Sequence, residues 1–80
     1  MCHLTIAVDQ AVHPIQPVIG ALEESPFYIR SIRMVPVAWS SKADLHLSLG
    51  GGSSVDLLVL LRRLRRLPAV LATEHVMPLV

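Results

Sequence analysis

The stretch from Lys42 to Leu49 constrains the fold of this chain more than any other. Ala43, Leu45, Leu47 and Leu49 alternate with Lys42, Asp44, His46 and Ser48. A period of two describes a strand with one face buried and the other exposed. Such a strand is not stable alone. It needs sheet neighbours, and something to cover the shared apolar face.

The rest of the sequence supplies both. Leu4, Ile6 and Val8 alternate with His3, Thr5 and Ala7, which reads as a second half-buried strand at the start of the chain. A polar turn at Asp9–Gln10 follows. Pro14 and Pro17 suit a helix start, where backbone N–H groups lack intrahelical acceptors anyway. Ile15, Val18, Ile19 and Leu22 then recur at helical spacing and leave Gln16, Glu23 and Glu24 outside. Ser25–Pro26 ends this helix, because a residue before proline avoids the helical region.

Phe27 to Val37 is rich in β-branched and large apolar residues. Ile29 and Ile32 are three apart, so the strand either starts after Ile29 or carries a bulge. Pro36 cannot donate a ladder hydrogen bond and places this strand at a sheet edge. Trp39–Ser40–Ser41 reads as the hairpin turn leading into the Lys42–Leu49 strand, and Gly50–Gly51–Gly52 breaks that strand's alternation. Ser53 and Asp56 form a capping-box pattern ahead of a helix from Val55 to Leu67, with Leu57, Leu60, Leu61 and Leu64 inward. Pro68 stops that helix, and Ala69 to Met77 makes the last strand.

Two strand–helix units joined by a hairpin predict an α+β domain spanning residues 1–80. Its architecture is a ferredoxin-like βαββαβ sandwich, a four-stranded antiparallel sheet of order 4-1-3-2 with both helices on one face. The second strand is an edge in that order, in agreement with Pro36.

Composition narrows the function. The chain is 52% apolar and only 16% charged over 80 residues, more apolar surface than so small a core can hide. A homodimer, or a subunit docked on something larger, is the expectation. A net charge of +1 gives no argument for nucleic acid or an anionic membrane. The outward side of the Lys42–Leu49 strand carries Asp44, His46 and Ser48, not the aromatic residues that stack RNA bases. Cys2 is the single cysteine, which excludes an internal disulfide or a Cys-x-x-Cys metal-transfer loop and fits a reducing, cytoplasmic setting. No export signal is evident, and the apolar run Leu57–Leu61 is far shorter than the ~20 residues of a membrane span. No nucleophile–base spacing stands out, and Cys2, at the chain end, is a poor candidate. An enzyme is not expected, nor a cofactor.

Five features carry a sharper reading beside a plainer one. Arg62, Arg63, Arg65 and Arg66 could touch phosphate or an acidic partner, but read best as the solvated face opposite the leucine stripe. The glycine run before Ser53 lacks the Lys-Ser/Thr ending of a phosphate-binding loop and reads as a turn. His3, His46 and His75 fall on strands expected to be neighbours, which brings His3 near His75. With Asp44 they would form a metal site if the last strand had the right phase; polar cover of a sheet is the favoured reading, and no metal is assigned. Trp39 either anchors a partner or covers apolar surface. Leu58 and Val59 lie off the core stripe of their helix and point to contact with another chain, although a single exposed leucine is ordinary.

The segment Pro26-Phe27-Tyr28-Ile29-Arg30-Ser31-Ile32 resembles the Gly-Phe-x-Ile-x-Ser-Ile run that leads the first helix of ACT domains into their second strand. Ser54-Val55-Asp56-Leu57-Leu58, Leu61, Leu64 and Leu67-Pro68-Ala69-Val70 are similar to the second helix and final strand of that family. The likeness runs from Leu4 to about Val76. It is nearest to the small regulatory subunit of acetolactate synthase, a thiamine-diphosphate-dependent enzyme of branched-chain amino-acid biosynthesis.

The resemblance implies a non-catalytic regulatory module, paired as a homodimer and docked on a biosynthetic catalytic subunit. It also implies a small amino-acid effector, held where the first strand-to-helix loop of one copy meets its neighbour. Carried onto this sequence, that site is Asp9, Gln10, His13, Tyr28 and Ile29. The loop glycine that lets backbone amides approach a carboxylate is absent from Asp9–Pro14, and Pro26 stands where the family has glycine before Phe27. These departures move the expectation from sensing an amino acid toward docking on a protein; a free-standing amino-acid sensor is the alternative.

Overall fold

The structure, a computed structural model, describes residues 2–76. The elements run β1 (Cys2–Asp9), α1 (Ile15–Glu23), β2 (Phe27–Pro36), β3 (Lys42–Gly51), α2 (Ser54–Arg65) and β4 (Val70–Val76), with a single 3-10 turn at Gln10–Val12 between β1 and α1. The sheet order is β2-β3-β1-β4 and every pairing is antiparallel. This is the expected order read from the other edge. Met77, the expected end of the last strand, lies outside the described residues.

The two alternating segments form the centre of the sheet. Leu4, Ile6 and Val8 of β1 stand opposite Leu47, Leu45 and Ala43 of β3, and all six are buried. Cross-strand partners share a face, so this register puts one continuous apolar surface under the helices. Val18, Ala21 and Leu22 of α1 and Leu57, Leu60, Leu61 and Leu64 of α2 close over it. Burying each leucine side chain contributes about 1.5–3 kcal/mol, and the central pair of strands therefore carries much of the fold's stability.

Several local devices are visible at the element ends. Ser53 Oγ accepts from the Asp56 N–H at 3.2 Å, and the Asp56 carboxylate accepts from the Ser53 N–H at 2.8 Å, a reciprocal capping box for α2. The register of β2 against β3 shifts between Ile29 and Ser31. That bulge, not a late start, accounts for the three-residue spacing of Ile29 and Ile32. The strand β3 runs on through Gly50 to Gly51, past the point where alternation ends. Tyr28 lies across Gly50, where an added Cβ would meet its Cε2 at 2.7 Å; the ring occupies the space that a side chain would take.

Cys2 is a poor nucleophile, as expected, but because it is buried in a strand and not because of its place near the chain end. It pairs with Leu49 inside β1 and is 2% exposed. Burial pushes its thiol above the ordinary cysteine value, so it has little thiolate character at neutral pH.

Candidate functional site

The chain leaves β1 through a tightly held corner. Asp9 N–H donates to Ala69 O and Gln10 N–H to Ser41 O, both at 2.8 Å. The Asp9 carboxylate accepts from the Ala11 N–H at 3.0 Å and caps the 3-10 turn. His13 ends that turn in the left-handed region, at φ 50°, a conformation that costs a non-glycine residue energy and reverses the chain sharply. Pro14 then serves as N-cap of α1 without any side-chain hydrogen bond.

The result is a groove of about 570 Å³ between the start of α1 and the far end of β2, lined by Gln10, His13, Pro14, Ile15, Gln16, Pro17 and Met34. Its walls are mostly apolar, with Gln10, His13 and Gln16 as polar groups. The first-turn amides of Ile15 and Gln16 have no intrahelical acceptor, as at any helix start, while Pro17 has no N–H to offer.

One copy of the chain brings together only part of the expected effector set. Gln10 and His13 line the groove, and Asp9 sits at its edge with its carboxylate committed to the turn. Tyr28 and Ile29 are at the other end of β2; by their register on β3 they stand about 17 Å and about 13 Å from Met34 along the strand. Ile29 packs partly buried against the core opposite Leu49, and Tyr28 lies on the opposite face of the sheet. Pro14, Ile15, Gln16, Pro17 and Met34 complete the groove without having been singled out for the site. The bulge is the signal for Met34: after it, alternation turns Ile32 and Met34 toward the helix side.

The histidine grouping is also settled by register. His46 lies on the open face, its Nδ1 3.3 Å from Thr5 Oγ1, and His3 on the same face opposite Ser48. His75 pairs with the core-facing Leu4 and so projects on the helix side. His3 and His75 are neighbours in backbone but not in face, and no metal-ligating group of three occurs among the described residues. Of the arginine cluster, Arg63 pairs with Glu24 at 2.8 Å, tying α2 to the end of α1. Arg65 donates to Thr73 of β4 at 3.1 Å. Both are exposed ties between elements, in keeping with the plainer reading.

Comparison of folds shows that this ferredoxin-like architecture is shared with several solved domains, one of them an ACT domain. The ACT domain from a GTP pyrophosphokinase of Chlorobium tepidum superposes with a TM-score of 0.78 at 16% identity, covering 94% of this chain and 95% of that one. The C-terminal domain of the MgtC protein from Mycobacterium tuberculosis gives 0.75 at 16% identity, covering 94% and 83%. The uncharacterized protein TM1266 from Thermotoga maritima gives 0.70 at 20% identity, covering 94% and 91%. No family model and no curated protein matches the sequence. No helix among the described residues is long and apolar enough to cross a membrane.

Proposed function

We propose that the chain is a non-catalytic regulatory module of the ACT type, which docks on and tunes a catalytic subunit of amino-acid metabolism. The observation that carries this reading is the outer face of α2. With the core leucines satisfied beneath it, the helix still presents Val55, Leu58 and Val59, each more than half exposed. Such a patch on an ACT-type fold suits a protein partner better than water. The resemblance in Phe27–Ile32 and in α2 makes an acetolactate synthase-like catalytic subunit the first partner to try. Co-purification of the full chain with a separately expressed large subunit tests this. Retention of the wild type and loss with Leu58→Asp is the expected result; no retention of either sinks the docking reading.

The groove favours a second role, amino-acid sensing, either as a free-standing homodimer or on the docked subunit. Its polar groups and the amides of Ile15 and Gln16 suit a small zwitterion with its carboxylate toward α1. Calorimetry against a panel of amino acids decides it. Heat from one small class supports sensing, and uniform absence of heat removes it while leaving docking intact.

A further inference from the structure

The face of the sheet away from the helices is uncovered, and its side chains fall into rows set by the register. Read across β2, β3, β1 and β4, one row is Ser31–Ser48–His3–Val76 and the next is Arg33–His46–Thr5–Glu74. A third is Val35–Asp44–Ala7–Ala72. The middle row has its cation on one edge strand and its anion on the other. Arg33 and Glu74 are both exposed, and neither has an ion-pair partner among the described residues. Lys42 and Asp9 lie side by side further along the two central strands.

We propose that this open face binds the same face of a second copy of the chain, about a twofold axis parallel to the strands and midway between β3 and β1. That axis exchanges β2 with β4 and β3 with β1. Arg33 then lies over Glu74 of the second copy, His46 over Thr5, Ser48 over His3 and Lys42 over Asp9, each contact made twice. Val35 meets Ala72. Asp44 meets only Ala7, a small residue that leaves room for water beside the carboxylate. Twisted sheets pack face to face at about 30°. At about 7 Å from the axis, one and a half strand spacings, this rotation displaces Arg33 from Glu74 by about 4 Å, within reach of an arginine side chain.

The edge of the sheet is a poorer route to pairing. Val37 N–H donates inward to Lys42 O at 2.9 Å, so alternation turns the Pro36 nitrogen outward, where it offers no hydrogen. The bulge at Arg30 interrupts the same edge. Both features discourage strand addition to β2.

The flat area is roughly 450 Å² per copy from four strands of about seven residues. This is about half of the ~800 Å² per partner of a standard interface, so the dimer is concentration-dependent. The inference does not rest on the regulatory reading: the Arg33–His46–Thr5–Glu74 row that carries it lies apart from the groove and the α2 patch, and only Asp9, whose carboxylate also caps the turn, borders the groove.

Sedimentation velocity on the full chain at low salt, over a concentration series into the high micromolar range, is the test. The wild type moves from monomer to dimer across the series. Arg33→Glu and Glu74→Arg each introduce two like-charge contacts per dimer and weaken it at least tenfold. Mixing the two variants in equal amounts restores a heterodimer, because every introduced charge then faces its opposite. Both positions are exposed, and unchanged far-ultraviolet circular dichroism verifies the fold. A wild type that stays monomeric, single variants that dimerise like the wild type, or a mixture that fails to pair each overturn the proposal.

Discussion

Replacing Ser53 by Ala removes one half of the box that starts α2, and the structure sets what this does. The Ser53 hydroxyl accepts from the Asp56 N–H at 3.2 Å and itself donates to the Asp56 carboxylate at 2.9 Å. Both groups are exposed, so water replaces part of what is lost and the cost stays near the usual ~1 kcal/mol of an N-cap. Asp56→Ala removes the acceptor for the Ser53 N–H and a negative charge in the first turn, costing about 0.5–1 kcal/mol. Because each residue holds the other, the double variant costs less than the sum of the two by about 0.5 kcal/mol. For a domain of this size each kcal/mol lowers Tm by about 4–8 °C. Thermal melts of the four proteins followed by circular dichroism at 222 nm read all of this. Single variants that each shift Tm by less than about 2 °C, or costs that simply add, would refute the reciprocal box as the start of α2.

Other consequences follow from the same contacts. Leu45→Ala, at a fully buried position of the central strand, costs about 3–5 kcal/mol in denaturant unfolding, whereas Met34→Gln in the groove costs within about 0.5 kcal/mol. Cys2 reacts slowly with a thiol reagent in the folded chain and rapidly in denaturant, as absorbance of the released chromophore will show. The raised thiol value also has a sign: the unfolded chain ionises first, so stability falls as pH rises above the ordinary thiol range and is unaffected below it. Gly52→Ala puts a side chain at φ +65° and within 2.7 Å of Phe27 Cδ1; a stability loss above about 1 kcal/mol is expected, and an unchanged Tm would contradict this placement of Phe27.

Much of the fold was legible because its determinants are local. Alternation in β1 and β3 named the six residues that meet across the central pair. The leucine spacing in α2 named its buried stripe, and Ser53–Asp56 named its start. Pro36 marked the edge for a covalent reason. The groove was legible only in its Gln10–His13 half, which belongs to one continuous turn. Met34 reaches it from a distant strand, and its face depends on which residue the bulge takes up; Ile29 and Ile32 show that a bulge exists without assigning it to Arg30. His75 illustrates the same limit. Adjacency in the sheet followed from topology, but its face turned on the register shift at Leu71, where β4 skips one residue against Ala7 and Val8. A single-residue slip exchanges the faces of a strand, and nothing in the local sequence of β4 announces it.

The regulatory reading is tested most directly by the activity of an acetolactate synthase-like catalytic subunit, measured at saturating substrate with increasing amounts of this chain. A saturable several-fold change in kcat, which Leu58→Asp removes without lowering the chain's Tm, is the expected result. Activity that stays flat to high molar excess, with no complex formed, would contradict it.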